Sequence, residues 1–257
     1  MRPMHDRLSV HSVTFSGASL AELNSQWRAL GLNRLSLIDF QLSDPALAPL
    51  VAEHGYRTQA VCHVFSGPDE LMRVIDAAAG IDAAMVYLLT GGRGPLTWQQ
   101  AADRFCAAVA PCAAAARDAG ISLAIENASS LYADIHIAHS LRDTITLAEA
   151  ADLDICIDLF HCWAEASVDT LVLRALPRTR LIQISDYVLG DRSLPARAVP
   201  GDGTIGVEQF LEQVLAAGYR HGFDLELIGP RIESEGRAEA ARRSCETVAA
   251  MLHRLGA

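Results

Sequence analysis

The chain has 257 residues, of which 51% are hydrophobic and 20% charged, and its net charge is −10 with His neutral. That length suits one large domain with a sizeable core. The acidic balance argues against a nucleic-acid partner, because a polyanion needs a basic face to displace its counterions, but it leaves room for a local basic pocket that takes a small anion.

Short β-rich runs alternate with longer helical runs from end to end. Strands are expected over Leu8–Thr14, Arg34–Asp39, Thr58–Val64, Ala84–Thr90, Ser122–Glu126, Asp154–Asp158, Arg180–Ser185 and Phe223–Leu227. Helices are expected between them, including Pro45–His54, Pro68–Ala79, Trp98–Ala119, Leu141–Ala151, Val207–Ala217 and Ala238–Leu255. Eight strands, each followed by a helix, is the count of a closed (β/α)₈ TIM barrel in the α/β class. Runs such as LSLI, SLAI and ICI are nearly continuous in apolar residues, as a parallel sheet covered on both faces requires.

Local punctuation supports the boundaries. Thr97 with Gln100 forms a capping box ahead of Trp98. Asp44 before Pro45 reads as an N-cap with proline at the first helical position. Gly31, Gly55, Gly80, Gly120 and Gly218 fall just past helices, where a left-handed cap is expected. No linker, repeat or low-complexity tract divides the chain, so one domain spans 1–257. A doubly wound open sheet shares the alternation, but it wants a glycine-rich phosphate turn after its first strand, and VTFSGAS is a poor one.

The six cysteines (Cys62, Cys106, Cys112, Cys156, Cys162 and Cys245) form no CxxC pair, and most sit in apolar runs. The pattern fits a reduced, cytoplasmic compartment. The opening MRPMHDRLSVHSV lacks a signal-peptide core, and no run has the length of a membrane span.

In a parallel barrel the strand C-termini converge on one face, where active sites are built. Polar residues that end apolar strands are therefore the first candidates. They are Glu126 (SLAIEN), Asp158 (ICIDLFH), Gln183 (LIQISDY) and Glu226 (FDLELIGP), on four successive strands. Three carboxylates and an amide brought together would repel unless a cation neutralised them. Their oxygens are hard donors, suited to Mn²⁺ or Mg²⁺ more than Zn²⁺.

The motifs IEN at Glu126, IDLFH from Ile157 to His161, QISD from Gln183 to Asp186, PGDG, AAGY and LEL together resemble the xylose-isomerase-like TIM-barrel superfamily. That superfamily includes ketose 3-epimerases, inosose and dehydroshikimate dehydratases, and the endonuclease IV type of AP endonuclease. The resemblance runs from about Ile121 to the C-terminus. It implies that Glu126, Asp158, Gln183 and Glu226 are the ligands of one divalent cation. Gln183 stands where many relatives carry His and is similar to the dehydroshikimate-dehydratase variant. Barrels of this superfamily are often dimers or tetramers, so a homo-oligomer is compatible, although no sequence patch marks an interface.

His161 lies three residues beyond Asp158, over the rim, and the resemblance implies contact with substrate or proton transfer. Trp163 follows on the same loop as a candidate apolar wall. His63 ends the third strand and is expected to face the pocket; His11 and Asp39 are weaker candidates. Arginine forks suit carboxylate, phosphate or a polarised carbonyl, and Arg197 and Arg231 are preferred over Arg93 and Arg192 as substrate contacts. The stretch Tyr132 to His139 contains Asp134, His136 and His139 and offers a second metal cluster, against which stands its place in a helix-entry loop. The acidic chain lacks the His-rich trinuclear site and basic loops that duplex DNA repair would use.

The expected reaction is removal of a proton α to the carbonyl of a sugar-like or polyol-derived small molecule. Glu126, Glu226 and His161 are the catalytic candidates. Return of the proton gives isomerisation or epimerisation; loss of a β-leaving group gives a lyase. A non-catalytic metabolite-binding barrel and a metal-dependent phosphoesterase are the readings from other classes.

Overall fold

The computed structural model describes residues 4–257. Eight strands pair in parallel: β1 (Leu8–Val10), β2 (Arg34–Ile38), β3 (Arg57–Val64), β4 (Met85–Leu89), β5 (Ser122–Glu126), β6 (Asp154–Asp158), β7 (Thr179–Ile184) and β10 (Gly222–Leu225). Their spatial order is β1-β10-β7-β6-β5-β4-β3-β2. The two edges meet where His11, one residue past β1, bridges in parallel to Ser36 of β2. The result is the expected (β/α)₈ barrel. The remaining strands, β8 (Asp186–Tyr187) and β9 (Arg197–Ala198), form a separate antiparallel hairpin.

Successive strand residues point to opposite faces, and this alternation builds two cores. Leu123 and Ile125 of β5 turn outward into the large cluster shared with the helices. Ala124 turns to the barrel axis, where it packs with Ala60, Met85, Tyr87, Cys156 and Leu181. Two residues further along β5, β6 and β7, in the same inward phase, come Glu126, Asp158 and Gln183. The candidate ligands therefore form a polar layer on top of an apolar axial layer, at the C-terminal mouth. On the inward face of β10, Asp224 is fully buried and accepts hydrogen bonds from Ser9 Oγ at 2.6 Å and Ser36 Oγ at 2.7 Å.

Several boundaries differ from expectation. The first strand stops at Val10, because His11 Nδ1 accepts the Val13 N–H at 3.1 Å and opens a 3₁₀ turn over Ser12–Phe15. Helix α1 (Leu20–Leu30), expected after the first strand but without bounds, starts at a complete Ser19–Glu22 capping box. Helix α2 (Leu47–His54) begins at Leu47 and not at Pro45; Asp44 Oδ1 instead accepts the Ala46 N–H of the preceding turn at 2.9 Å. Gly80 ends α3 (Pro68–Ala79) in a right-handed conformation, and Asp82, with φ 51°, takes the left-handed one. The Thr97–Gln100 box is present at the start of α4 (Trp98–Asp118). The chain continues through α5 (Leu141–Ala151), the short α6 (Leu159–Cys162), α7 (Val168–Ala175), α8 (Val207–Ala216), α9 (Pro230–Glu235) and α10 (Arg237–Arg254). All six cysteines are free. Among the described residues, no helix is long and apolar enough to cross a membrane.

Candidate active site

Glu126, Asp158 and His161 each offer a ligand atom within 4.8 Å of the others at the C-terminal mouth. Local sequence explains why the strand ends are held there. Asn127, the last letter of IEN, clamps β5 to β6: its Nδ2 donates to the Asp158 carbonyl at 2.8 Å and its Oδ1 accepts the Asp158 N–H at 2.9 Å. Asp158 Oδ1 caps α6 by accepting the Phe160 N–H at 2.9 Å. That turn of helix carries His161 back over the mouth, with its Nε2 3.6 Å from Asp158 Oδ2.

The Gln183 amide lies between two neighbours. Its Nε2 donates to Glu226 Oε2 at 2.5 Å and to the Tyr87 hydroxyl at 3.3 Å, and its Oε1 accepts from the Cys156 thiol at 3.4 Å. Tyr87 in turn lies 2.8 Å from His11 Nε2. Because His11 Nδ1 already accepts the Val13 N–H, its neutral ring carries the proton on Nε2 and donates to the Tyr87 oxygen. The Tyr87 proton is then free to be donated onward. His11 is thus a buried support two side chains behind Gln183.

Arg197 occupies the centre of the cluster and is 2% exposed. Its Nη2 lies 2.5 Å from Asp158 Oδ2 and 3.0 Å from Glu226 Oε1, and donates to His161 Nε2 at 3.3 Å. Nη1 donates to Ser185 Oγ at 3.1 Å, and the guanidinium stacks 4.7 Å from the Phe160 ring centroid. Since arginine only donates, His161 Nε2 accepts and its neutral ring carries hydrogen on Nδ1.

The strap that delivers Arg197 is fastened by the PGDG motif. Asp186 accepts N–H groups of Gly201 at 2.9 Å and Gly203 at 3.0 Å through Oδ2, and of Ile205 at 2.9 Å through Oδ1. A Cβ at Gly203 would stand 2.3 Å from Asp186 Oδ1 and 2.4 Å from the Tyr187 carbonyl. Gly203→Ala is therefore expected to cost about 1–3 kcal/mol by overpacking. Activity should fall further than stability because Arg197 is displaced; urea unfolding beside a turnover assay checks both.

Other candidates lie apart from the carboxylates. His63 shares the outward phase of Val61 and its register partner Leu88, both in the helix-packed core, and its Nδ1 is 2.5 Å from Asp39 Oδ2. The strand-end position was right, but the phase turns the ring away from the axis and engages Asp39. Arg231 is exposed and its Nε is 2.9 Å from Asp191 Oδ2, so it ties α9 to the β8–β9 loop. Arg93 donates to the Leu96 carbonyl at 2.8 Å, and Arg192 is exposed. Trp163 stands at the rim with its ring centroid 5.9 Å from that of Tyr187. His136 is no part of a second cation cluster among the described residues. Its Nδ1 accepts the Thr90 N–H at 2.9 Å and its Nε2 donates to the Glu126 carbonyl at 2.9 Å, which steadies the end of β5.

Electrostatics are dominated by burial. Burial first, then the charges of Glu226 and Asp158, push Glu126 well above the usual carboxylate range. Glu226 is pushed up to about 7 by burial, against the pull of Arg197. Burial lowers His161 to about 4, so its ring is neutral near pH 7. Burial alone would weaken the Arg197 charge, but Asp158 and Glu226 outweigh it and hold the guanidinium above its ordinary value.

This donor set fits a divalent cation. Ionised, the three carboxylates outnumber their single guanidinium partner by two charges. No donor within the described residues reaches the Glu126 carboxylate. Turning the Gln183 amide about its axis would exchange nitrogen for oxygen beside Glu226, an arrangement that only a cation or a proton between the oxygens makes favourable. Arg197 lies between two of these oxygens, so loading requires it to release part of its grip.

A parallel (β/α)₈ barrel with clustered carboxylates at its C-terminal mouth defines the class of architecture. The family model described as xylose isomerase-like TIM barrel matches residues 63–251, and the chain belongs to that family. No curated protein matches the chain. Among solved structures, a protein from Sinorhizobium meliloti 1021 is 21% identical, with 97% of this chain and 98% of that one covered and a TM-score of 0.83. A 3-keto-D-glucoside 4-epimerase from E. coli is 15% identical, with 96% and 100% covered and a TM-score of 0.78. An IolI protein with a bound zinc atom is 14% identical, with 97% and 99% covered and a TM-score of 0.81. At such identities these likenesses establish the fold.

Proposed function

We propose that the protein is a divalent-cation-dependent enzyme that removes a proton α to the carbonyl of a sugar-like or polyol-derived substrate and returns it, giving isomerisation or epimerisation. The observation that carries this reading is the layer of three carboxylates at the mouth, in which Asp158 and Glu226 share the one guanidinium of Arg197 and the buried Glu126 has no cationic partner among the described residues. Barrel folding does not call for such a layer, and it opens onto the face where barrel enzymes bind substrate.

Glu126, Asp158, Gln183 and Glu226 would hold the cation, with Mn²⁺ or Mg²⁺ favoured by an all-oxygen set. The bound cation would polarise the substrate carbonyl as a Lewis acid. Glu126 and Glu226 rise from strands separated in the barrel by β6 and β7, so they flank the axis from different sides. One would take the proton from a carbon held between them and the other would return one to the opposite face. Arg197 would orient a carbonyl or hydroxyl oxygen through its fork. The neutral His161 accepts from Arg197 at Nε2; once Arg197 turns to substrate, that lone pair would accept a hydroxyl proton. Phe160, Trp163 and Tyr187 would shield the mouth from water.

Gln183 favours one second reading, a lyase. An amide cannot exchange protons as a histidine can, which leaves His161, once it has taken up the substrate's α-proton, to pass it to a departing β-hydroxyl that leaves as water. Both readings share the α-proton step. Purified protein loaded with Mn²⁺ should exchange a substrate C–H for solvent deuterium when ketoses, inososes and dehydroshikimate are screened by NMR in D₂O. Deuterated epimer supports the first outcome and an unsaturated product the second. Binding of these compounds with no exchange at any carbon would leave a metabolite-binding barrel as the better description.

Tyr87→Phe tests the support behind the site. Loss of the hydroxyl removes the partner of both His11 Nε2 and Gln183 Nε2, so Mn²⁺ affinity measured by calorimetry should fall about 10- to 100-fold. The fold itself should remain intact.

A further inference from the structure

The opposite, N-terminal mouth of the barrel contains a cavity. It has a volume of about 420 Å³ and is lined by Arg7, Arg34, Arg180 and Arg220 together with Gln59 and Gly222. No carboxylate lines it among the described residues, although the chain as a whole carries a net charge of −10. These guanidiniums are mostly held by neutral groups. Arg7 donates to the His221 carbonyl at 2.6 Å and the Tyr219 carbonyl at 3.1 Å, and Arg34 donates to the Asp6 carbonyl. Arg180 alone has a carboxylate, Asp154, at 3.0 Å. Arg220 is exposed and has no ion pair among the described residues.

Gln59 is the second, independent sign of a ligand. The register steps from Leu35↔Thr58 to Ser36↔Ala60, so Gln59 is the extra residue of a β-bulge in β3. Bulges at barrel rims re-aim side chains, and this one turns a 5% exposed amide into the mouth. Neither Gln59 Oε1 nor Nε2 has a hydrogen-bond partner. Room for the amide exists only because residue 222 is glycine: a Cβ there would lie 2.1 Å from Gln59 Nε2. Buried polar groups without partners are rare and call for a missing one.

We propose that this mouth binds a small multivalent oxyanion bearing phosphate or carboxylate groups. Its oxygens would be shared among Arg34, Arg180 and Arg220, with a Gln59 Nε2 hydrogen as an uncharged donor. Burial is the main cause that lowers Arg7 and Arg34 below their ordinary values, only partly offset by the Asp6 charge; an anion in the mouth would supply further compensation. The site lies at the far end of the barrel from the carboxylate layer, and its occupant would bind across β1, β2, β7 and β10. Occupancy would therefore stabilise the fold by linkage.

Calorimetric titration with inorganic phosphate and with citrate, at ionic strength matched by NaCl, tests this. Saturable one-site binding of either is expected, with thermal midpoint rising with ligand concentration; the tighter of the two names phosphate or carboxylate as the preferred group. Arg220→Gln, at an exposed position that holds nothing else in place, should weaken binding about tenfold. Glu126→Gln should bind as the parent does. Heat signals that never saturate, or equal binding by Arg220→Gln and by an Arg34→Gln/Arg220→Gln double variant, would overturn the proposal.

Discussion

Replacing Arg197 with alanine should destabilise the cation-free protein by about 3–5 kcal/mol, the cost typical of stranding buried charge when one partner is removed. Arg197 is 2% exposed and its Nη2 touches both Asp158 and Glu226, so no solvent takes its place. The protein's alternative is to protonate the carboxylates, which is easy at low pH and unfavourable above neutrality. The loss in the variant should therefore grow between about pH 5 and pH 8. Added Mn²⁺ should restore part of it, because the cation supplies positive charge to the same oxygens. Urea unfolding of parent and variant across this range, with and without Mn²⁺, measures the whole pattern. A variant within 1 kcal/mol of the parent at pH 8 would mean that Arg197 does not neutralise these groups. Arg197→Lys keeps the charge and loses the fork that spans Asp158, Glu226 and His161; it should retain most of the stability and lose much of any turnover.

The same residues show what a sequence reveals and what it hides. Glu126, Asp158 and Gln183 were legible because each ends an apolar strand, and their common layer follows from inward phase shared with Ala124, Cys156 and Leu181. His63 also ends a strand, yet it is in phase with Val61 and not Cys62. A strand-end rule without phase places it wrongly. Arg231 was singled out for its position after the last strand, but Asp191 on the β8–β9 loop claims it. Arg197 was recognised as a candidate contact, whereas its burial among three proposed functional side chains depends on a two-residue hairpin too short for any periodic signal. Asp224 and Gln59 were missed for a different reason. A polar residue inside a strand reads as an interruption until its partners, Ser9 and Ser36 for one and a glycine for the other, are brought up from distant strands. The alternation calls for a helix after the first strand, and its start is written in Ser19 and Glu22.

Glu126→Gln should separate stability from function by moving them in opposite directions. In the cation-free parent, Glu226 is raised from 4.5 to about 7, and Glu126 is raised well above 4.5. A carboxyl whose folded value is raised binds more protons in the native state than in the unfolded chain. Its stabilising contribution is present below pH 4.5 and is lost as pH rises through the folded value, with a slope of at most about 1.4 kcal/mol per pH unit for each group. The cation-free parent should therefore weaken from about pH 5 upward. The variant carries a neutral amide of the same shape at residue 126 and removes one of the two raised groups. Its stability should depend less on pH and exceed that of the parent at pH 8. Glu226 should stay raised in the variant, since burial and the Asp158 charge that raise it are unchanged. Mn²⁺ affinity should drop at least about 100-fold, and turnover about 1000-fold or more. Such a trade is expected where a group is retained for chemistry at the expense of the fold. Retention of parental Mn²⁺ affinity in this variant would remove Glu126 from the ligand set, while a parental pH slope would show that its carboxyl is not the group being neutralised.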